Sequence, residues 1–351
     1  MERNLYTGPG YCAVTEDGVL TEYIERDPKE QCGDILGGTV ERIMPGIDGA
    51  FVKIGRKTAG FLPLRENSKT FAGGALKSGM KIPVQIRKEE TGGKGAFLTR
   101  DLTLAGQTVL MMPMNRYIGV SSRITSEEER ERLRETGLEI TGGRTGIVMR
   151  EAAVRTGKEQ IAAEAEELMK TWSGVEEKIR EGFDNGTVLY HQDPVSQMIA
   201  DYESRGITKA FEAEMLPDDL QRQLREAGER TVRLRNGGNI VIDRCEAMTV
   251  IDVNSGSARD CGGIASAYLE TNLAACETIA AQIRLRNLGG IILIDFIDME
   301  SDEDRNRVET KLKELLAADR RKTVVHGWTK LGIMEMTRKR TGTTWERPQS
   351  P

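Results

Sequence analysis

The chain has 351 residues, 38% of them hydrophobic, and a formal net charge of −5. This length gives room for two or more domains, each with its own core, while the lack of a long apolar run or an apolar N-terminal segment predicts a cytoplasmic protein with no membrane span. Five scattered cysteines with no Cys-x-x-Cys pair, together with only two histidines, argue against a zinc site.

The first predicted element is a short β-hairpin within residues 1–32. Its two strand-like runs are YCAV and GVLTEYIE, and they are joined through Glu-Asp-Gly, a turn sequence. An isolated hairpin is at best marginally stable in water, so these strands need a later part of the chain.

Residues 36–103 carry short strand-like runs separated by glycines, including GGTVERIMPGIDGAFVKIG, AGFLPL and KIPVQIRKEE. Closely spaced short strands of this kind predict a small β-barrel. The segment also concentrates positive charge, because it has twelve Lys or Arg against six Asp or Glu, a net +6 that leaves −11 for the remainder. Such a segment is typical of a surface that binds nucleic acid.

Three side chains of this segment are candidates for contacts with nucleic acid. Phe51 and Phe61 either fill the barrel core or present their rings to bases. Lys94, in the turn TGGKGA, would reach backbone phosphates. The motif GAFVKIG…GFLPL resembles the OB-fold RNA-binding module first described in a ribosomal small-subunit protein, and this resemblance favours stacking at the surface.

Residues 104–186 are predicted to be helical. Ser126 and Glu129 form a capping box that starts a helix through Arg134, and the stretch Glu159–Trp172 repeats apolar residues at helical spacing. Residues 187–227 contain a further strand and a helix around LPDDLQRQLREAG, which we expect to return to the N-terminal hairpin. His191 in this segment is a lone histidine, and we expect it to be structural.

The most informative stretch is Met248–Met299, which predicts a β-strand, an amphipathic helix and a second β-strand. Asp252 and Asn254 are two residues apart in the first strand, so their side chains point to the same face. The second strand, Ile291–Ile294, is apolar on both faces, as a buried parallel strand is, and is followed by Asp295. A helical crossover makes parallel strands neighbours or near neighbours, so Asp252 and Asp295 are expected to lie close together.

Two adjacent carboxylates are costly to ionise unless a cation lies between them. Mg²⁺ fits because it prefers oxygen ligands and is commonly held by one or two carboxylates. Asn254 cannot ionise and would orient an aspartate or the substrate. The alternative is that these acids only end strands or cap helices. Asp298, three residues after Asp295, leaves the face of the other acids and is expected to be structural.

Two basic clusters follow, Arg320–Lys322 and Arg338–Arg340. They would either complement the C-terminus of a helix or bind nucleic-acid phosphates. His326, in the predicted strand TVVHGW, is expected to be buried in the core.

Three motifs lie in order between Arg233 and Arg340: DVNSG, then ETNLAACETIAAQIRLRNLGGIILIDFIDM, then LGIMEMTRKR. Together they closely resemble the ribonuclease E/G family of bacterial endoribonucleases. The resemblance implies a magnesium-dependent enzyme in which Asp252 and Asp295 hold the metal and Asn254 supports them. Longer members continue into a CPxC element that joins subunits through a shared zinc, and no such element is found in this sequence.

The same resemblance implies an α/β chain of several domains. The expected parts are the N-terminal piece of a ribonuclease-H-like subdomain (1–35), an OB-fold RNA-binding domain inserted in it (36–103), a helical 5′-sensor-like region (104–186), the return of the ribonuclease-H-like subdomain (187–227), a DNase-I-like catalytic α/β domain (228–345) and a tail (346–351).

Family likeness also gives RNA-binding roles to four side chains: Phe51, Phe61, Lys94 and Lys322. It further implies a pocket that senses a 5′-monophosphate through Arg123 and Arg150, since arginines grip phosphate well. The family usually has Thr after the second of these arginines, whereas this chain has Glu151. A carboxylate there would repel a phosphate, or would neutralise Arg150 in an ion pair.

The predicted activity is hydrolysis of single-stranded RNA within the chain, leaving 5′-phosphate and 3′-hydroxyl ends, in ribosomal RNA processing and messenger RNA decay. Two alternatives stay open. One is a non-catalytic RNA-binding regulator on the same scaffold, and the other is a metal-dependent phosphoesterase acting on DNA or a small phosphate ester. A homodimer is compatible with the sequence, whereas a zinc-linked tetramer is not expected.

Overall fold

A computed structural model describes residues 2–26, 32–67, 75–90, 94–203, 205–256 and 264–340. The chain folds as two units, one formed by Met1–Ile24 with Ile207–Pro351 and the other by Glu25–Gly206. A membrane-crossing helix is not found anywhere in the described ranges. The predicted tail, residues 346–351, lies outside the described residues, as does Cys261.

The N-terminal strands form an antiparallel meander. They are β1 (Arg3–Gly8), β2 (Tyr11–Glu16) and β3 (Val19–Glu25), which lie side by side in that order. Asp17 and Gly18 join β2 to β3 with φ of 49° and 81°, the positive values that a two-residue hairpin turn requires. The turn predicted at Glu-Asp-Gly is therefore confirmed.

Five strands of the second unit close into a barrel. They are β4 (Ile35–Met44), β5 (Gly49–Lys53), β6 (Gly60–Pro63), β7 (Lys81–Lys88) and β8 (Phe97–Thr99), and a short helix, α1 (Leu64–Asn67), follows β6. Their order is β4-β5-β6-β8-β7, and β7 pairs again with β4. Buried aliphatic side chains such as Val52, Leu62 and Leu98 fill the interior. This closed five-stranded barrel is consistent with the predicted OB-fold.

Residues 104–186 contain a small sheet as well as helices. Strands β9 (Leu104–Ala105), β10 (Val109–Met112), β11 (Ile118–Val120) and β12 (Gly146–Met149) pack with α2 (Glu127–Thr141) and α3 (Lys158–Glu181). The prediction of a helical region missed this sheet because strands of two to four residues are too short to show an alternating pattern.

The Ser126 half of the predicted capping box is confirmed, since the Ser126 hydroxyl accepts a hydrogen bond from the Glu129 N–H at 3.3 Å, while the Glu129 carboxylate bonds Arg132. The helix runs past the expected end at Arg134 and stops only where Gly142 adopts a left-handed φ of 54°. In α3 the predicted apolar stripe faces the core of this unit.

Residues 187–227 contribute to both units. In the unit of the barrel, β13 (Val188–Tyr190) pairs with β4, and α4 (Pro194–Glu203) follows. In the other unit, β14 (Lys209–Glu212) pairs in parallel with β1, and α5 (Asp218–Glu226) packs its Leu220 against that sheet. His191 lies 3.1 Å from the buried carboxylate of Asp34, measured from Nδ1 to Oδ2.

The rest of the first unit is a six-stranded sheet with two helices on one face. Its elements are β15 (Thr231–Arg233), β16 (Asn239–Arg244), β17 (Met248–Asn254), α6 (Ile264–Leu285), β18 (Gly290–Asp295), α7 (Asp302–Leu316), β19 (Thr323–Trp328) and β20 (Met334–Arg338). The strand order is β15-β16-β17-β18-β20-β19, and β17 and β18 are parallel. Ile251, Ile292 and Met336 point into a core shared with Ile279 and Leu312 of the helices.

Candidate catalytic site

The two aspartates predicted from the sequence lie side by side on the exposed face of the six-stranded sheet. Asp252 of β17 and Asp295 of β18 are direct register partners on the parallel strand pair. Their strand neighbours Ile251 and Ile294 are buried on the helix side, and both aspartates are exposed. The predicted proximity of the two acids is therefore confirmed.

Asn254 supports the first of these acids. Its side-chain amide donates a hydrogen bond to Asp252 Oδ2 at 2.8 Å. Because the two residues are i and i+2 on one strand, the contact follows directly from strand geometry. The hydrogen bond fixes the carboxylate of Asp252 and leaves its other oxygen available for a ligand.

Asp295 has an environment that disfavours its charged form. Partial burial raises the pKa of Asp295 above its ordinary value, and the negative charges of Asp252 and Asp298 raise it further. Asp298, expected to be structural, is thus an exposed acid that is electrostatically linked to the pair. Bringing a cation to these carboxylates would relieve the repulsion.

The donor set fits Mg²⁺. It consists of two carboxylates and a neutral amide on an open surface, and magnesium is usually bound through one or two carboxylates plus water and phosphate oxygens. Within the described ranges, no group of three or more His, Cys, Asp or Glu side chains is placed to hold a metal ion. The described cysteines, Cys12, Cys32, Cys245 and Cys276, are all free thiols.

Asn272, a buried residue of α6, was not predicted from the sequence. Its amide nitrogen donates to the Ile297 carbonyl oxygen at 2.8 Å, and its amide oxygen accepts from the Ile297 N–H at 3.0 Å. These two bonds hold the segment that follows Asp295, so Asn272 is a positioning residue. The one sequence signal was an asparagine among the apolar positions of a helix, which needs a partner when buried.

The basic clusters divide between interior and surface. Arg320 pairs with Glu22 at 2.5 Å and Arg338 with Asp319 at 2.6 Å, and these side chains are largely or fully buried. Both arginines therefore form structural ion pairs, which excludes the predicted phosphate contacts for them, and Arg338 also donates to the Leu288 carbonyl oxygen just after the C-terminus of α6. Lys322 is exposed just before β19.

His326 is exposed, and the prediction that it lies in the core was wrong. Alternation along β19 explains this exposure, since Val324, two residues earlier, is also exposed and Val325 between them packs against the core. The ring of His326 contacts Thr337, with 3.0 Å between Nε2 and Oγ1.

In the barrel, Phe51 and Phe61 lie on the outer surface and are half-buried, while their strand neighbours Val52 and Leu62 fill the interior. Of the two predicted locations for these rings, the barrel core is thus excluded. Lys94 is exposed beside β8.

The predicted 5′-sensing arginines are both engaged in ion pairs. Arg123 lies 3.6 Å from Glu151, and Arg205 approaches the same carboxylate at 3.8 Å. Arg150 instead bonds Asp201 and the carbonyl oxygen of Gly106. The predicted ion pair between Glu151 and Arg150 was wrong, because Asp201 is the carboxylate that pairs with Arg150. Glu151 instead lies beside Arg123 and Arg205.

Comparison with known proteins identifies the family of this chain. The model of the Ribonuclease E/G family matches residues 103–214 and 215–341. Ribonuclease G of Escherichia coli K12 and that of Haemophilus influenzae are each 35% identical to it, over 94% of this chain and 77% of the relative. Ribonuclease E of a Nostoc species is 33% identical over 94% of this chain and 54% of the relative. The chain therefore belongs to the ribonuclease E/G family.

Proposed function

We propose that this protein is a magnesium-dependent endoribonuclease that hydrolyses single-stranded RNA and leaves 5′-phosphate and 3′-hydroxyl ends. The observation that carries the proposal is the register pairing of Asp252 with Asp295 on an exposed sheet face, in a chain whose relatives are named ribonucleases. Ribosomal RNA processing and messenger RNA decay in the cytoplasm are the roles that such an activity would serve.

Each residue of the site has a role that follows from its position. Asp252 and Asp295 would hold Mg²⁺, and Asn254 keeps the Asp252 carboxylate oriented through their hydrogen bond. An Mg²⁺ ion held by these two carboxylates would supply Lewis-acid chemistry, which stabilises negative charge on a phosphate and makes water more acidic. Lys322, exposed before β19, would bind a backbone phosphate next to the cleaved bond.

The preference for single strands would come from the barrel. Phe51 and Phe61 present rings on its outer surface, and only unpaired bases are free to stack on aromatic side chains. Lys94 would add a phosphate contact.

The test compares one sequence in four forms: single-stranded RNA, the same RNA in a duplex, single-stranded DNA, and the RNA with EDTA in place of Mg²⁺. We expect internal cleavage of the single-stranded RNA with Mg²⁺ alone, and mass spectrometry of the products should show 5′-phosphates. Binding without cleavage in Mg²⁺ would favour the regulator, and equal cleavage of RNA and DNA would favour the general phosphoesterase.

A further expected result concerns the 5′ end of the RNA. Because Glu151 already pairs with Arg123 and Arg205, an RNA 5′-phosphate must compete with an internal carboxylate. We therefore expect RNAs with a 5′-phosphate and with a 5′-hydroxyl to be cleaved at rates within about twofold of each other, as the like-charge repulsion offsets the arginines. Parallel cleavage assays on the two RNAs give the ratio.

The variant Glu151→Gln should then produce a preference for the 5′-phosphate, since it removes the competing charge. The control is Glu131→Gln, which breaks an exposed ion pair with Arg134 on α2 and should leave the ratio unchanged. A strong 5′-phosphate preference in the native chain would show that Glu151 does not compete with the phosphate.

A further inference from the structure

Five side chains form one continuous row across the barrel strands. Arg42 of β4 is the register partner of Phe51 on β5, and Phe51 is the partner of Phe61 on β6. Phe61 pairs with Phe97 on β8, and Phe97 with Lys88 on β7. The row therefore reads cation, three aromatic rings, cation. We call it the aromatic row.

Two β-bulges bring the cations into this row. The register of β4 shifts between Val40 and Arg42, and that of β7 shifts between Ile86 and Lys88. Val40 and Ile86 are buried, so strict alternation would turn the residue two positions later inward as well. Each bulge instead turns its cation outward, and both Arg42 and Lys88 are exposed.

The three rings are neighbours without covering one another. The ring centroids of Phe51 and Phe61 are 5.9 Å apart with an interplanar angle of 67°, and those of Phe61 and Phe97 are 5.9 Å apart at 46°. Such inclined arrangements leave part of each ring face uncovered, and all three rings are half-buried. The Phe61 ring packs directly on Gly49, since a Cβ on that glycine would come within 2.2 Å of the ring.

The cations at the two ends are held by the rings themselves. The Arg42 guanidinium carbon lies 5.3 Å from the Phe51 centroid, and Lys88 Nζ lies 5.6 Å from the Phe97 centroid, distances at which cation–π attraction operates. The acids that adjoin them in sequence have other partners, since Glu41 pairs with Lys53 and Glu89 with Arg56.

We propose that the aromatic row binds three consecutive unpaired bases of RNA, with the flanking phosphates contacting Arg42 and Lys88. The proposal rests on the proposed function and extends it, because Phe97, Arg42 and Lys88 join Phe51 and Phe61 in a single site. Every base has a flat face, so stacking on three rings selects for unpaired strands and tolerates different sequences. A positive charge at each end would hold the backbone along the line of the row.

The first experiment tests the third ring in the full-length chain. Binding of a fluorescent single-stranded RNA is measured by anisotropy in EDTA, so that no cleavage intervenes. Phe97→Ala and Phe97→Leu should each weaken binding about fivefold or more, while Phe97→Tyr should stay within about twofold of the native chain. The leucine variant keeps most of the apolar bulk. A loss of affinity in this variant would therefore come from the missing aromatic ring and not from disturbed packing of the barrel.

A second measurement determines how many adjacent bases the aromatic row binds. RNAs of one length carry one, two, three or four adjacent bases and are otherwise abasic. For the native chain affinity should rise up to three bases, whereas for Phe97→Ala it should rise only to two. A native series that stops at two bases, or a Phe97→Leu variant that binds like the native chain, would overturn the aromatic row.

These outcomes separate the row from the proposed function. If Phe97 variants bind normally while Phe51→Ala and Phe61→Ala weaken binding, the row is wrong and RNA binding by the barrel stands. If no variant of the three phenylalanines changes RNA affinity, the barrel is not the RNA-binding surface, and both proposals lose their support there.

The phosphate contacts of Arg42 and Lys88 are tested by the salt dependence of RNA affinity. Arg42→Gln and Lys88→Gln should each reduce the slope of log affinity against log salt by about 0.7, the value for one phosphate contact on a single strand. Lys81→Gln is the control, since Lys81 is an exposed barrel lysine that bonds Asp184 and the Phe183 carbonyl oxygen. An unchanged slope in the Arg42 and Lys88 variants would show that these two side chains do not contact phosphates.

Discussion

Replacing Asp252 by Asn is expected to lower the rate of RNA cleavage about a hundredfold or more. Under the proposed function this change removes a carboxylate that would hold Mg²⁺, and with it several kcal/mol of transition-state stabilisation. Asp295→Asn should have a similar effect, since the two acids face one position from adjacent strands. RNA affinity measured in EDTA should be unchanged in both variants. Single-turnover cleavage of a labelled single-stranded RNA at saturating Mg²⁺ gives the rates.

Two further variants distinguish a carboxylate that would hold the metal from a residue that would orient this carboxylate. Asn254→Ala should cost about tenfold to a hundredfold, because it removes the hydrogen bond that orients Asp252. Asp298→Asn serves as the matched control: this acid is exposed and influences Asp295 only through charge, and its rate should stay within a few-fold of the native rate. An Asp252→Asn variant that cleaves at the native rate in Mg²⁺ would refute the assignment.

The second large effect concerns stability. Asp319→Ala is expected to lower the free energy of unfolding by about 3–5 kcal/mol, because it leaves the buried Arg338 guanidinium without its countercharge. The pair is bidentate, with 2.6 Å from Nε to Oδ2 and 3.1 Å from Nη2 to Oδ1, and both side chains are almost completely shielded from solvent, at 1% and 0% exposure.

Arg338 also donates to the Leu288 carbonyl oxygen at 2.8 Å, so the pair ties β20 to the turn that precedes β18. Native-state hydrogen exchange during a urea titration can follow the β18 and β20 amides separately from the barrel unit. The control is Asp243→Ala on β16, whose ion pair with Arg230 is exposed and should contribute no measurable stability. Equal protection of β20 in the Asp319→Ala variant and the native chain would contradict the expectation.

The same pair has a predictable pH dependence. Burial alone would raise the pKa of Asp319, but the hydrogen bonds and positive charge of Arg338 outweigh it and hold the pKa below its ordinary value. A carboxyl group with a lower pKa in the folded state stabilises the fold at pH values above its unfolded-state pKa of about 4, and loses that contribution as the pH falls further. The stability difference between the native chain and Asp319→Ala should therefore be constant near neutral pH and shrink below about pH 4.

The sequence alone determined the centre of the candidate site. Alternation along β17 placed Asp252 and Asn254 on one face, and the helix between two strands made those strands parallel neighbours, so the approach of Asp295 followed from local pattern and chain topology. The short glycine-separated strands likewise predicted the barrel, because each strand and turn has its own local signal.

Only the tertiary structure decided which residues meet across strands that are far apart in sequence. Phe97 joins Phe51 and Phe61 through pairing between β6 and β8, and Arg42 and Lys88 reach the surface through bulges that break the alternating pattern. In the sequence, Arg338 lies in a basic cluster and cannot be told apart from an arginine that binds RNA. Its buried ion pair with Asp319 shows that its role is structural. Strand register and ion pairing depend on the packing of the whole unit, which no short window of sequence contains.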